Sequence, residues 1–111
     1  MTFEIIKTSI ISNIEEVRFY TDTVDHIIEE HPDVPILLPS LMGAISTAIT
    51  APTQIFQTRD RSFVFVDENT TNSAGDPFRV PVRIVSGSSG RVCTAHFAQS
   101  ASMKNLIWGN K

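Results

Sequence analysis

The spacing of apolar residues changes twice along the chain. The opening FEIIKTSIIS (residues 3–12) is rich in isoleucine, and a short apolar pulse from Val17 to Tyr20 follows between polar residues; both read as β-strands. From Thr21 the period lengthens. Val24, Ile27, Ile28 and His31 stand at i, i+3, i+4 and i+7, an amphipathic helix whose first turn Asp22 or Thr23 can cap and which Pro32 ends. A second helical stripe runs through Leu38, Leu41, Ala44 or Ile45, Ala48 and Ile49, with Pro39 in its first turn and Pro52 beyond its end. The period then drops to two: QIFQT and SFVFV flank the tight pair Arg59-Asp60 and predict a hairpin. Residues 68–77, ENTTNSAGDP, hold turn formers and no periodic apolar residue, so they are expected to form one long mobile loop.

The last predicted hairpin carries the most chemistry. Phe78, Val80, Val82 and Ile84 share one face, and Arg79, Pro81, Arg83 and Val85 the other. A turn centred on Ser88 and Ser89 would set Arg83 opposite Thr94 and Pro81 opposite His96, gathering Arg79, Arg83, Thr94 and His96 on one face. Cys93, Ala95 and Phe97 would then lie on the core face, making Cys93 a buried, inert thiol. The order strand, strand, helix, helix and then four strands gives an α+β domain, with two short N-terminal helices packed on one face of an antiparallel sheet of about four strands.

With 111 residues the chain supports one core, so residues 1–111 are read as a single domain. Apolar residues at 41% and charged residues at 19% argue against disorder, and no apolar run is long enough for a membrane span. One cysteine and the absence of a secretory leader pattern set cytoplasmic folding as the expectation. Charge is unevenly placed. The first 33 residues carry eight acids and two bases, the remainder seven bases and four acids, and five of those seven bases are arginines suited to forking onto phosphate.

Three histidines offer proton transfer near neutral pH. His26 falls well off the apolar stripe and reads either as a solvated helix residue or as a functional group. His31 continues the stripe, as a hydrogen-bonded core histidine near a helix C-terminus or as a functional one. His96 shares its predicted strand face with Thr94 and the arginines. The histidines of HIIEEH stand five apart, not at the i, i+4 spacing of HExxH, and neither a phosphate-cradling glycine loop nor a G-x-S-x-G elbow is present, so no metal or cofactor is expected.

The segments VRFYTDTVDHIIEEHPDV, APTQIFQTRDRSFVFV, PVRIVSG with RVCTAHF, and a terminal IW, in this order over residues 17–108, resemble the phage-associated nucleases of the barnase, EndoU, colicin and RelE-like superfamily. That resemblance implies a toxin-like or phage-encoded, metal-independent endoribonuclease that cleaves RNA by attack of the 2′-hydroxyl on the adjacent phosphate. It implies catalytic parts among His26, His31, Arg83, Thr94 and His96, and RNA contacts from Arg59, Arg61, Arg79 and Lys104. The implied partners are RNA and a cognate inhibitor of the immunity or antitoxin kind, in the cytoplasm of the producing or target cell and with no membrane involved. His96 stands where such nucleases more often have an aromatic residue after T-A, which either adds a catalytic imidazole or marks a changed activity. The alternative is a non-catalytic binding module of the same fold, a decayed nuclease or a phage protein engaging a host or partner protein; a structural accessory domain is a third reading. Two histidines within about 8 Å of an arginine in a common cleft would favour the enzyme.

Overall fold

A computed structural model describes residues 3–37, 40–98 and 105–109, with the side chains of Ile36 and Leu37 excepted. Among these residues eight strands and three helices follow in the order β1 (Phe3–Lys7), β2 (Glu16–Tyr20), α1 (Thr21–Glu30), α2 (Asp33–Leu37), α3 (Leu41–Thr50), β3 (Gln54–Arg59), β4 (Ser62–Thr71), β5 (Pro77–Ser86), β6 (Ser89–Val92), β7 (His96–Phe97) and β8 (Leu106–Gly109). All strands join one sheet in the order β1-β2-β6-β5-β4-β3-β8, and β7 pairs with β5 off this path. The domain is α+β, but the expected two N-terminal helices and four strands are corrected. Three helices lie between β2 and β3, and the sheet is twice as wide.

β1, β2 and β6 are strands as read from the sequence, but their limits and pairing, and the short β8, escape a local reading for separable reasons. β1 ends at Lys7, because Thr8 turns its hydroxyl onto the Ile49 carbonyl at 3.0 Å, and Ile10, Ile11 and Ile14 pack on the core from a loop. β2 and β6 form a parallel pair, Arg18 beside Arg91, which no hairpin signal announces. β8 is only four residues long and attaches to the free edge of β3, placing Trp108 on the main core.

β2 runs straight into α1. Tyr20 occupies the N-cap position without a side-chain cap, so neither Asp22 nor Thr23 caps this helix; Thr23 is buried instead, donating to the Val92 carbonyl at 3.3 Å. The buried stripe is accordingly Thr23 and Ile27, with Val24 and His31 beside it, and Ile28 is left exposed. α1 closes with His31 N–H on the Ile27 carbonyl, just before Pro32. α2, only five residues long, is too short to leave a periodic signal. α3 has a proper cap, the Ser40 hydroxyl accepting from Gly43 N–H, and buries Ile45, Ala48 and Ile49. Leu38 and Pro39, expected in its first turn, lie outside the described residues.

One face of the sheet, the helix face, meets the helices through Val17, Phe19, Ile55, Phe63, Phe65, Phe78, Val80, Val82 and Val92, all essentially buried with Ile27, Ile45 and Ile49. The opposite, arginine face carries Arg18, Arg79, Arg83 and Arg91. At the β3–β4 end the arginine face is also buried, around Phe56, Val64 and Val66, with Leu106 packed against them. Burial on both sides explains why SFVFV is apolar without alternation.

Three turns differ from expectation. The β3–β4 turn is Asp60-Arg61, closed by Arg59 opposite Ser62 and one residue later than read from the sequence. The expected mobile loop 68–77 is mostly strand: β4 reaches Thr71 across an irregularity that begins at Asp67, leaving residues 72–76 as the connection. This connection is pinned, because Asn72 Oδ1 accepts from the backbone of Ala74 and Asp76, and the buried Asp67 carboxylate accepts from Asn69 N–H and the Thr70 hydroxyl. The β5–β6 turn is Gly87-Ser88, with Gly87 at φ 55°, and this shift together with a slip between Ile84 and Ser86 resets the whole hairpin register.

Gly90 is required by close approach. A Cβ there would lie 2.7 Å from Val82 Cγ1, inside the core and next to the Arg83 backbone. Gly90→Ala is therefore expected to cost about 1–3 kcal/mol by overpacking, read as a lowered melting temperature.

Candidate functional site

The corrected register decides which basic residues meet the histidines. Val82 pairs with Val92 and Arg83 with Arg91; then Cys93–Ala95 bulges out, and the strand resumes with His96 opposite Arg79 and Phe97 opposite Phe78. The expected pairs Arg83–Thr94 and Pro81–His96 are thus replaced by Arg83–Arg91 and Arg79–His96. The bulge also overturns the buried Cys93: the residue is exposed, with its N–H on the Pro81 carbonyl, although partial burial of its sulfur still raises the thiol pKa.

α1 brings the other imidazoles to the same place. His31, at its C-terminal end, stacks on His96 with ring centroids 5.3 Å apart and planes inclined by 25°. His26, one turn earlier and exposed, stands edge-on to His31 at 6.3 Å. All three histidines therefore form one chain of rings ending beside Arg79. His31 comes from the helix and His96 from the strand, so their meeting depends on α1 being held against the β6–β7 line, as the Thr23 hydrogen bond to Val92 does.

Electrostatics separate the members. His96 is half-buried, and its Nδ1 is buried without a hydrogen-bond partner among the described residues. Burial, then His31 and Arg79, pull its pKa below the ordinary histidine value, with Asp33 of α2 opposing. Asp33 carries no signal in the sequence, because α2 itself is not legible there. Arg79 is half-buried, its guanidinium carbon 6.0 Å from the centre of the Phe56 ring, and burial lowers its pKa from the ordinary arginine value. The Thr94 hydroxyl lies buried in the bulge, also without a hydrogen-bond partner among the described residues.

The remaining expected residues form a second group. Arg83 is exposed four residues along β5 from Arg79, about 13 Å away at strand rise. With Arg59 at the end of β3 and Asp60 and Arg61 of the β3–β4 turn it lines an open depression of about 470 Å³. Lys104 lies outside the described residues. Two further arginines, Arg18 and Arg91, are absent from the set expected from the sequence; the parallel β2–β6 pairing sets them side by side next to Arg83. A turn at Gly87-Ser88 alone would set Arg83 opposite Val92; the register slip between Ile84 and Ser86 is what makes Arg83 and Arg91 cross-strand partners, and no sequence signal announces it. No helix among the described residues is long and apolar enough to cross a membrane.

Arg83→Ala is expected to change stability by no more than about 0.5 kcal/mol, since the side chain is exposed. If the depression holds phosphate, the same variant should weaken RNA binding and lower its salt slope by about one, measured by titration at several ionic strengths.

No protein-family model, curated protein or solved structure matches the chain. The arrangement of side chains is therefore the ground for any functional reading. Two stacked imidazoles of different environment beside a guanidinium make a set able to accept a proton, donate one and hold an anion.

Proposed function

We propose that this protein is a metal-independent endoribonuclease of the toxin-like or phage-encoded kind, resembling the barnase, EndoU, colicin and RelE-like superfamily. The observation that carries the reading is the His31–His96 stack with Arg79 directly across the strand from His96. In this mechanism His96, kept neutral by its surroundings, takes the proton of the RNA 2′-hydroxyl. The freed oxygen attacks the neighbouring phosphorus, and the bond from phosphorus to the 5′-oxygen breaks. His31, at the C-terminal end of α1, gives the leaving oxygen its proton. Arg79 stabilises the charge that gathers on the phosphorane. The products are a 2′,3′-cyclic phosphate and a 5′-hydroxyl, and a water later restores both protonation states.

Arg83 takes a different role from the catalytic one expected from the sequence. With Arg59 and Arg61 it holds phosphates at a distance from the cut, and Thr94 shapes the bulge that aims His96. A producing cell would need a cognate inhibitor, and acidic groups suit the arginine face as its target.

The test is incubation of the pure protein with total RNA in EDTA. Cleavage is expected to survive chelation and to leave a 2′,3′-cyclic end. Activity that disappears with the chelator would overturn the mechanism. A protein that cleaves nothing but binds through these arginines would be a non-catalytic module.

A further inference from the structure

At the β1–β2 end, the arginine face carries an aromatic and guanidinium cluster outside the histidine site. Phe3 and Tyr20 are cross-strand partners whose rings lie 5.0 Å apart. The Arg18 guanidinium sits 5.1 Å from the Phe3 ring centre, and Arg91 sits 4.7 Å from that of Tyr20. These are four planar groups in contact, contributed by three adjacent strands. They are braced from below: Arg18 Nη1 reaches the Tyr20 hydroxyl at 3.5 Å, and Arg18 Nε lies 3.9 Å from Glu16. Hydrogen bonds from Ser89 and Lys7 hold the Glu16 carboxyl below the usual carboxylate range.

The cluster opens to solvent through Phe3 and Arg91, with Tyr20 and Arg18 half-buried between them. Phe3 is 41% exposed, Arg91 is exposed, and Ile5 beside Arg18 is 48% exposed. A fold that needed this surface only for stability would cover its aromatic rings, as it covers Phe56 on the same face. On this face its charge is also one-sided: Lys7, Arg18 and Arg91 stand on these strands and Arg83 on the adjoining β5, against the one acid Glu16, while Glu4 of β1 lies on the other face. Flat rings alternating with guanidinium planes on an open sheet suit unpaired nucleobases, which stack on both while the cations attract the backbone.

Position connects this surface to the histidines. Continuing the β2–β6 register sets Tyr20 level with Cys93, one strand across and a few residues short of His96. The separation is about 11 Å at normal strand spacings, within reach of nucleotides next to the one held at Arg79.

We propose that Phe3, Tyr20, Arg18 and Arg91 form a base-stacking subsite for single-stranded RNA, holding nucleotides that flank the cleaved linkage. The subsite deepens the ribonuclease reading and rests on it for the presence of a cleaved linkage, while the stacking itself can be measured without cleavage. The probe is a short fluorescein-labelled single-stranded RNA, titrated onto the His96→Ala protein so that it stays intact. Adding Tyr20→Ala or Arg91→Ala is expected to weaken binding about 10-fold. Tyr20→Phe keeps a ring and is expected to bind like its parent, which also controls for folding. Duplex RNA of the same length offers no free base faces, and Tyr20→Ala should leave its binding within about 2-fold. Single-strand binding that ignores Tyr20→Ala, or equal losses for single strand and duplex, would overturn the subsite. An unmutated protein that cleaves RNA despite such a result leaves the ribonuclease reading standing alone. Tyr20-dependent single-strand binding by a protein that cleaves nothing upholds the stacking surface and removes the nuclease.

Discussion

His96→Ala is expected to lower RNA cleavage by about 10²- to 10⁴-fold, the usual cost of losing a positioned acid or base, while the protein remains folded. The fold should tolerate the change because the imidazole is an uneasy occupant. Its Nδ1 is buried without a hydrogen-bond partner among the described residues, and a buried orphan of this kind costs about 1–3 kcal/mol. Removing that orphan offsets the loss of stacking on His31. The pH dependence gives a second readout. The folded pKa of His96 lies below its unfolded value, so over the interval between them the unfolded chain binds more protons. His96 therefore makes the fold less stable as pH falls through about 6.5 toward the folded pKa, and His96→Ala should lose that part of the slope. In catalysis a base with a lowered pKa places the acid limb of kcat/KM below the ordinary histidine range. Melting curves across pH and a pH–rate profile check the two halves. A variant that cleaves at the parental rate with an unchanged acid limb would remove His96 from the mechanism.

Val82→Asp is expected to abolish the cooperative fold. Val82 is 1% exposed, lies between Phe63 on β4 and Val92 on β6, and presses against Gly90. On the helix face its strand neighbours are Phe63 and Val92, neither of which can pair with a carboxylate. Burying an unpaired carboxylate costs several kcal/mol, against a total stability of about 5–15 kcal/mol for an ordinary domain. Val85→Asp is the control, since Val85 lies on the same strand and is 48% exposed. Its change should stay within about 0.5 kcal/mol. Circular dichroism melts of the pair decide it, and a soluble, cooperatively melting Val82→Asp protein would mean that the faces of β5 are assigned wrongly.

Elements with a strong period and partners close in the chain could be read from the residues alone. α1 and α3, both faces of β5 and the β3–β4 hairpin follow from local spacing of side chains, because burial on one face imposes a period of 3.6 or 2 on whatever the chain does. Pro32 and Pro52 mark the helix ends for the same local reason. The candidate histidines and arginines were also legible, by their chemistry. What joins them was not. Arg79 rather than Pro81 stands opposite His96 because the turn moves to Gly87-Ser88, the pairing slips between Ile84 and Ser86, and Cys93–Ala95 bulges, shifts of register that leave no trace in composition. His31 meets His96 only because β2 pairs in parallel with β6, which carries α1 onto the β6–β7 line. The same pairing brings Arg18, Tyr20 and Arg91 together from opposite ends of the chain. Such contacts are made between distant segments when the sheet closes, and their free energy comes from packing and backbone pairing that no local window contains.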